Sequence, residues 1–487
     1  MLLKTMFLQW TFIFVNAKTV TTSFILKKSN AMKKSVLMFL SFALVLAGCS
    51  VNNSKSATSS SQEPIDPSLK ETTVKVESCY SGETQKYYDI KVAYKDSLFQ
   101  GASDTFNKDL AMLSYGFSIV SEEKDEAKQF FKDLAFTNAE YASEYDDKPK
   151  VDGVGYCFAT KIVNDYNIVG VSIRGFNYRV QWVDNFNVGT EGDHLGFSES
   201  ADTVIEALNT YVGKIKNNKP IKLWLTGYSR GGAIANVMSS KFLSDETSKF
   251  KKDNLYTYTF EAPRGLTLEH AVAYENVFNI INSGDIFTRV CPEEYGLYRC
   301  GKDIDIYNKD IDNLIKAFDK DAVIPAFKSN ILYKDDTQWA KYFIQCLLAG
   351  DDPDEGERNW SASTRELYNL NYGEDIRIII LTINATEDVT LMDLISRLQE
   401  LSASDIATLL LGSVAGFVLL IKEILTDLKV GYDDGQITKA LTELYNYISK
   451  PTVAIAIAAL CTKDTGRRMV AMHKPDTTYI LLNAYEA

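Results

Sequence analysis

Only three histidines occur in the 487 residues, His194, His270 and His473, and that scarcity bounds the chemistry. No His/Cys cluster has metal-ligand spacing, so no metal centre is expected. Neither a phosphate-cradling loop nor a dinucleotide fingerprint occurs, and no internal repeat is found, so no cofactor is expected. Positive charge is also short, with 52 Lys and Arg against 64 Asp and Glu. Six of those lysines lie in the first 48 residues, which hold no acid; the rest of the chain carries 46 basic and 64 acidic groups, a net of −18. So acidic a surface argues against nucleic acid and against a polybasic lipid-binding patch, and no protein partner is expected. Long apolar runs are lacking from the body of the chain. Ile406–Ile421 has sixteen residues without a charge, whereas a spanning helix wants about 20; a buried helix or an apolar lid face fits better. Val453–Cys461 is shorter still.

Against these absences stands Ile221–Ala235, IKLWLTGYSRGGAIA. It reads as a buried strand, a tight turn at Ser229 and a helix opening with small residues, the context of a nucleophile elbow. The bland alternative is a glycine-rich strand–helix turn with an incidental serine. A serine hydroxyl needs a base, usually histidine, oriented by a carboxylate. In the Ser, Asp/Glu, His chain order, His194 comes too early. His270 lies in LEHAVAYENV, which reads as a surface helix, and precedes the best acid. His473, near the C-terminus, remains. For the acid, Asp285 follows the apolar run Val277–Ile281 through Asn282-Ser283-Gly284. Functional residues of open parallel sheets collect beyond the carboxyl ends of strands, although an aspartate in a turn there is also common.

Five segments in series resemble landmarks of the lipase class 3 family, the fungal-type triacylglycerol lipases. VSIRGFNYRVQWVDNF (Val171–Phe186) resembles its "FRGT…DW…N" segment and HLGFSESADTVIEAL (His194–Leu208) its "H.GF" helix. LTGYSRGGAIA (Leu225–Ala235) is similar to "TGHSLGGALA", YTFEAPRG (Tyr258–Gly265) to "TFGAPRVG", and NIINSGDIFTRV (Asn279–Val290) to the "vN..D.VP" strand bearing the family's acid. The resemblance spans residues 150 to 290. It implies a mainly parallel α/β-hydrolase sheet flanked by helices, and an acyl-serine ester hydrolase acting on lipids or other acyl esters. Ser229 is then the nucleophile, Asp285 the acid and His473 the base, and the backbone N–H groups of Arg230 and Phe176 form the oxyanion hole. Departures are Tyr228 for the usual histidine, Arg230 for leucine and Phe176 for threonine. Arg230 either binds an anionic substrate group or pairs with a neighbouring acid, the second being the expected reading. His194 is read as structural, holding a loop near the site.

Asp285 and His473 lie 188 positions apart, more than a minimal core needs. Residues 291–465 read as a mostly helical insertion, a cap or lid, with one strand-like run at Asp375–Asn384. Earlier, Tyr87–Tyr94 and Val154–Val163 read as strands, and Phe106–Tyr145 between them as helical. At the N-terminus, Met32-Lys33-Lys34, the apolar run Val36–Leu46 and Leu46-Ala47-Gly48-Cys49 resemble a bacterial lipoprotein signal and lipobox. Met32 is the expected start, residues 1–48 the signal, Cys49 the lipid-bearing residue and 49–69 a tether. An α/β domain then runs over 70–487, anchored on the extracytoplasmic side of a bacterial membrane. Export permits disulfides among Cys79, Cys157, Cys291, Cys300, Cys346 and Cys461, Cys291–Cys300 being one possible pair. A non-catalytic binding lipoprotein on this fold, and an esterase or acyltransferase on cell-envelope glycan esters, are the rival readings.

Overall fold

The computed structural model describes residues 66–82, 85–145, 153–175, 181–291, 293–325, 335–349, 374–386, 389, 391–400, 412–449 and 463–486. The expected signal, Cys49 and the expected tether up to residue 65 fall outside them. So do Phe176, Cys461 and the side chain of Cys346.

A seven-stranded sheet organises the chain, in the order β3 (Thr137–Tyr141), β4 (Tyr156–Val163), β5 (Tyr166–Ile173), β6 (Ile221–Tyr228), β7 (Leu255–Phe260), β8 (Val277–Ile281), β9 (Lys302–Asp305). Strand β4 pairs antiparallel with both β3 and β5, and β5 to β9 run parallel. The central strands are buried on both faces and read as continuous apolar runs, as parallel strands do. Alternation still sorts them: Leu223 and Leu225 point to one core, Trp224 and Tyr228 to the other. The first core is closed by α4 (Leu195–Gly213) and α5 (Arg230–Ser244). The second is closed by α1 (Lys108–Val120), α2 (Lys124–Asp133), the C-terminal α13 (Pro475–Ala484) and a hairpin of β1 (Lys70–Glu77) and β2 (Tyr87–Tyr94). Helices on both faces of a mainly parallel sheet make this an α/β-hydrolase-type fold.

Between β5 and α4 lies the short α3 (Trp182–Asn185), and after β9 come α6 (Ile311–Phe318) and α7 (Asp336–Ala349). Next are α8 (Glu374–Asn384), α9 (Leu391–Glu400), α10 (Val414–Asp427), α11 (Asp434–Ile448) and α12 (Lys463–Met472). Helices α8, α10 and α11 share a core of their own around Ile379, Ile383, Phe417, Ile421, Leu425 and Ile437. Helix α7 instead lays Trp339, Phe343 and Ile344 against Ile286 and Met469. Of the uncharged run, residues 412–421 are described and those from Val414 on are the start of α10; no helix among the described residues is long and apolar enough to cross a membrane.

Three expectations are corrected. Asp375–Asn384 is helical, not a strand: Ile379, Ile380 and Ile383 are buried at helical spacing against other helices, so packing overrides the β-branched propensity. The stretch Phe106–Tyr145 is not helical throughout. Ala135 and Asn138 take positive φ (59° and 54°), breaking the chain after α2 so that β3 can form the sheet edge. Residues 268–276 form turns and irregular chain rather than a surface helix before β8 begins at Val277.

Candidate active site

Strand β6 ends at Tyr228 and α5 begins at Arg230, leaving Ser229 alone in the turn with φ 52° and ψ −122°. A non-glycine residue at positive φ is strained, and here the strain lifts a hydroxyl above the strand end. Its backbone N–H donates to the Phe260 carbonyl at 2.8 Å. Gly227 needs no positive φ; a Cβ there would lie 2.3 Å from the Gly231 carbonyl oxygen, so its task is to admit the helix start. At Gly175 a Cβ would sit 1.9 Å from the Tyr228 carbonyl oxygen. The Gly175 N–H donates to buried Glu122 at 2.7 Å, which fixes the end of the segment leading to Phe176.

Three sequence-selected side chains meet at this elbow. His473 Nε2 lies 2.8 Å from Ser229 Oγ and His473 Nδ1 lies 2.6 Å from Asp285 Oδ2. With Nδ1 donating to the carboxylate, Nε2 is left to accept the serine proton. Asp285 is fully buried, and its Oδ1 accepts the Phe287 N–H at 2.8 Å. The Phe287 ring lies 4.4 Å from the imidazole, centre to centre. An imidazole held between a hydroxyl and a buried carboxylate can take the hydroxyl's proton as the oxygen attacks a carbonyl.

The other two histidines sit elsewhere. His194 caps α4: Nδ1 accepts the Phe197 N–H at 3.3 Å, so Nε2 donates to the Asn185 carbonyl at 3.3 Å, and the ring stacks on Phe197 at 3.7 Å. His270 is half-exposed and pairs with Asp193 at 2.8 Å. Arg230 is buried; its guanidinium donates to Asp184 at 3.2 Å and to Ser200 at 2.9 Å, the paired arrangement of the two weighed from sequence. Cys291 and Cys300 are not bridged. Burial raises the Cys300 thiol above its ordinary range, and the thiol donates to the Asn236 carbonyl at 3.3 Å.

Two residues at the site escaped the sequence reading. The Tyr228 hydroxyl donates to the His473 carbonyl at 2.9 Å and lies 2.8 Å from Thr478 Oγ1. Glu261, fully buried just beyond β7, accepts the Asn282 N–H at 2.9 Å and the Thr478 hydroxyl at 2.9 Å. One signal for it was in view: Glu261 occupies the glycine position of the motif that YTFEAPRG resembles. Asn282 in turn donates to the Met472 carbonyl at 3.0 Å, tying the loop before Asp285 to the residue before His473.

Among proteins of known family, residues 171–295 match the model described as Lipase (class 3). No curated protein sequence matches the chain significantly. Similar solved structures include Rhizomucor miehei triacylglyceride lipase, 16% identical over 42% of this chain and 82% of that one, with a TM-score of 0.31. Lipase II from Rhizopus niveus is 18% identical over 44% and 82%, with a TM-score of 0.29. The matched segment contains β6, the Ser229 elbow, β7, β8 and Asp285, and over these residues the chain is similar to the Lipase (class 3) family, a likeness that supports a carboxylic ester hydrolase.

Proposed function

We propose that the protein cleaves lipid or other acyl esters through an acyl-Ser229 intermediate. The observation that carries this is the unbroken path from Ser229 Oγ through the His473 ring to Asp285, with steps of 2.8 and 2.6 Å. Ser229 Oγ attacks the ester carbonyl carbon while His473 Nε2 takes its proton. Asp285 holds the ring and stabilises the imidazolium without itself being protonated. The tetrahedral oxyanion is received by the backbone N–H groups of Arg230 and Phe176, donors that act only as that charge develops. Collapse expels the alcohol, which leaves with the proton from His473. Water, deprotonated by the same nitrogen, then releases the acid and restores the serine.

The insertion is assigned as a cap over the acyl site. Its helix α7 packs on Ile286 and Met469, and Phe287 beside them covers the imidazole. We assign the protein to the extracytoplasmic face of a bacterial membrane, held by a lipid on Cys49. The lysine-led apolar run, the Leu46–Cys49 sequence and the polar tract behind it support this.

Fluorophosphonate labelling of the full-length chain, with and without detergent, tests the chemistry. Labelling should vanish in Ser229→Ala. His473→Ala should lose turnover of a p-nitrophenyl ester by about 10⁴-fold or more, whereas His194→Ala and His270→Ala should keep most of it where they fold. A His473 variant that hydrolyses normally would falsify the triad. Membrane attachment is tested separately: Cys49→Ser should move the protein to the soluble fraction, and continued sedimentation with membranes would sink the anchor assignment.

A further inference from the structure

We propose that Glu261 is a positioning residue of the triad, clamping the loop that bears Asp285 to the segment that bears His473. The inference rests on the triad reading above and adds to it a fourth side chain.

Glu261 is held by contacts from three sides. Its Oε2 accepts the Asn282 N–H, three residues before Asp285, and its Oε1 accepts the Thr478 hydroxyl, five residues after His473. Its own N–H donates to the Ile280 carbonyl at 2.9 Å. Thr478 passes the connection to Tyr228, whose hydroxyl reaches the His473 carbonyl. The nucleophile's N–H ends on Phe260, the residue before Glu261. Asp285 is therefore two hydrogen bonds from this side chain, through Asn282, and His473 three, through Thr478 and Tyr228, while Ser229 is bonded to the residue before Glu261.

Two features cost stability and are retained. Glu261 takes φ 47°, a left-handed conformation that glycine adopts freely and a longer side chain does not. It also buries a carboxyl group completely, where it feels the charge of a second buried carboxyl group, that of Asp285. Two carboxylates cannot both ionise in a dry pocket. Asp285 faces the His473 ring and the Phe287 N–H, whereas Glu261 has no cationic partner among its described contacts, so Glu261 is the one held neutral. Burial first, and then the charge of Asp285, push the Glu261 carboxyl well above its ordinary range. The other titratable groups facing it are Tyr228 from β6 and Tyr115 from α1, both raised by burial and so neutral. Beyond Asp285 stand His473 and Arg289.

The test uses full-length protein and p-nitrophenyl butyrate, with kcat and kcat/KM measured across pH for wild type, Glu261→Gln, Glu261→Gly and Ser229→Ala. Glutamine replaces a neutral acid by a neutral amide. It should keep kcat within about threefold and leave the acidic limb of the profile within about 0.3 pH unit. Glycine relieves the backbone strain, so the variant is expected to fold, but it abandons Asn282 and Thr478. It should lower kcat by about tenfold or more with KM little changed, as a misplaced triad does. Wild-type kcat in Glu261→Gly would overturn the positioning role. An acidic limb displaced downward by about one unit in Glu261→Gln would overturn the neutral-acid assignment, since it means a negative charge was removed beside the imidazole. Ser229→Ala separates the two readings. If it still turns over, the triad has failed; if it is inactive while Glu261→Gly is normal, only this inference falls.

Discussion

Arg230, the residue after the nucleophile, has its charge committed to Asp184 and Ser200 inside the protein. Removing one partner of a buried pair costs more than the pair itself contributes, about 3–5 kcal/mol. Arg230→Met should therefore lower the thermal midpoint by several degrees. At temperatures where it is folded, it should hydrolyse a neutral ester at near wild-type rate, because its backbone N–H is retained. A stable variant with a large loss of kcat would instead give the guanidinium a direct part in catalysis. At this scale the sequence was informative where the signal was local. The elbow points to Ser229, the place beyond a strand to Asp285, and scarcity and order to His473, and the fold brings these three side chains together. Tyr228 and Glu261 could not be assigned roles that way. Their partner Thr478 lies 250 and 217 residues further along the chain, and only the folded sheet brings them together.

Helix α13 starts two residues after His473 with Pro475 and the buried Asp476. The Asp476 carboxyl accepts N–H bonds from Cys79 at 2.8 Å and Thr477 at 3.0 Å, which moors the helix to the end of β1. Burial dominates and raises its pKa from 3.8 to about 6. For an acid raised on folding, the folded state holds the extra proton between those two values. Stability is then greatest below about pH 4 and falls as pH rises to about 6, by about 3 kcal/mol from this group. Denaturant titrations of wild type and Asp476→Asn should differ in slope over that window, the variant being flatter. Parallel slopes would mean that Asp476 titrates normally. Most core strands of the sheet were legible from their apolar runs. Misread elements were those whose fate neighbours decide: the isoleucine run of α8 became helical only because α10 and α11 offer it a helical groove.

At the scale of the molecule, and among the described residues, the two cores on either face of the sheet share no residue with the helical core of α8, α10 and α11. The insertion nevertheless reaches the triad. Arg468 on α12, five residues before His473, grips Asp336 at the start of α7 with bonds of 3.1 and 2.8 Å. Helix α7 then packs on Ile286, beside Asp285. A core that is separate among the described residues should open separately, since cooperative units follow buried apolar contact. Native-state hydrogen exchange should find amides of α10 and α11 exchanging at least about a hundredfold faster than those of β5 to β8. Arg468→Leu should loosen α12 and lower kcat, while leaving exchange in β5 to β8 as it was. Equal protection throughout would mean that insertion and sheet unfold as one body. The helices would then be part of the scaffold that holds His473 in place, and a cap that opened for substrate would have to do so without unfolding.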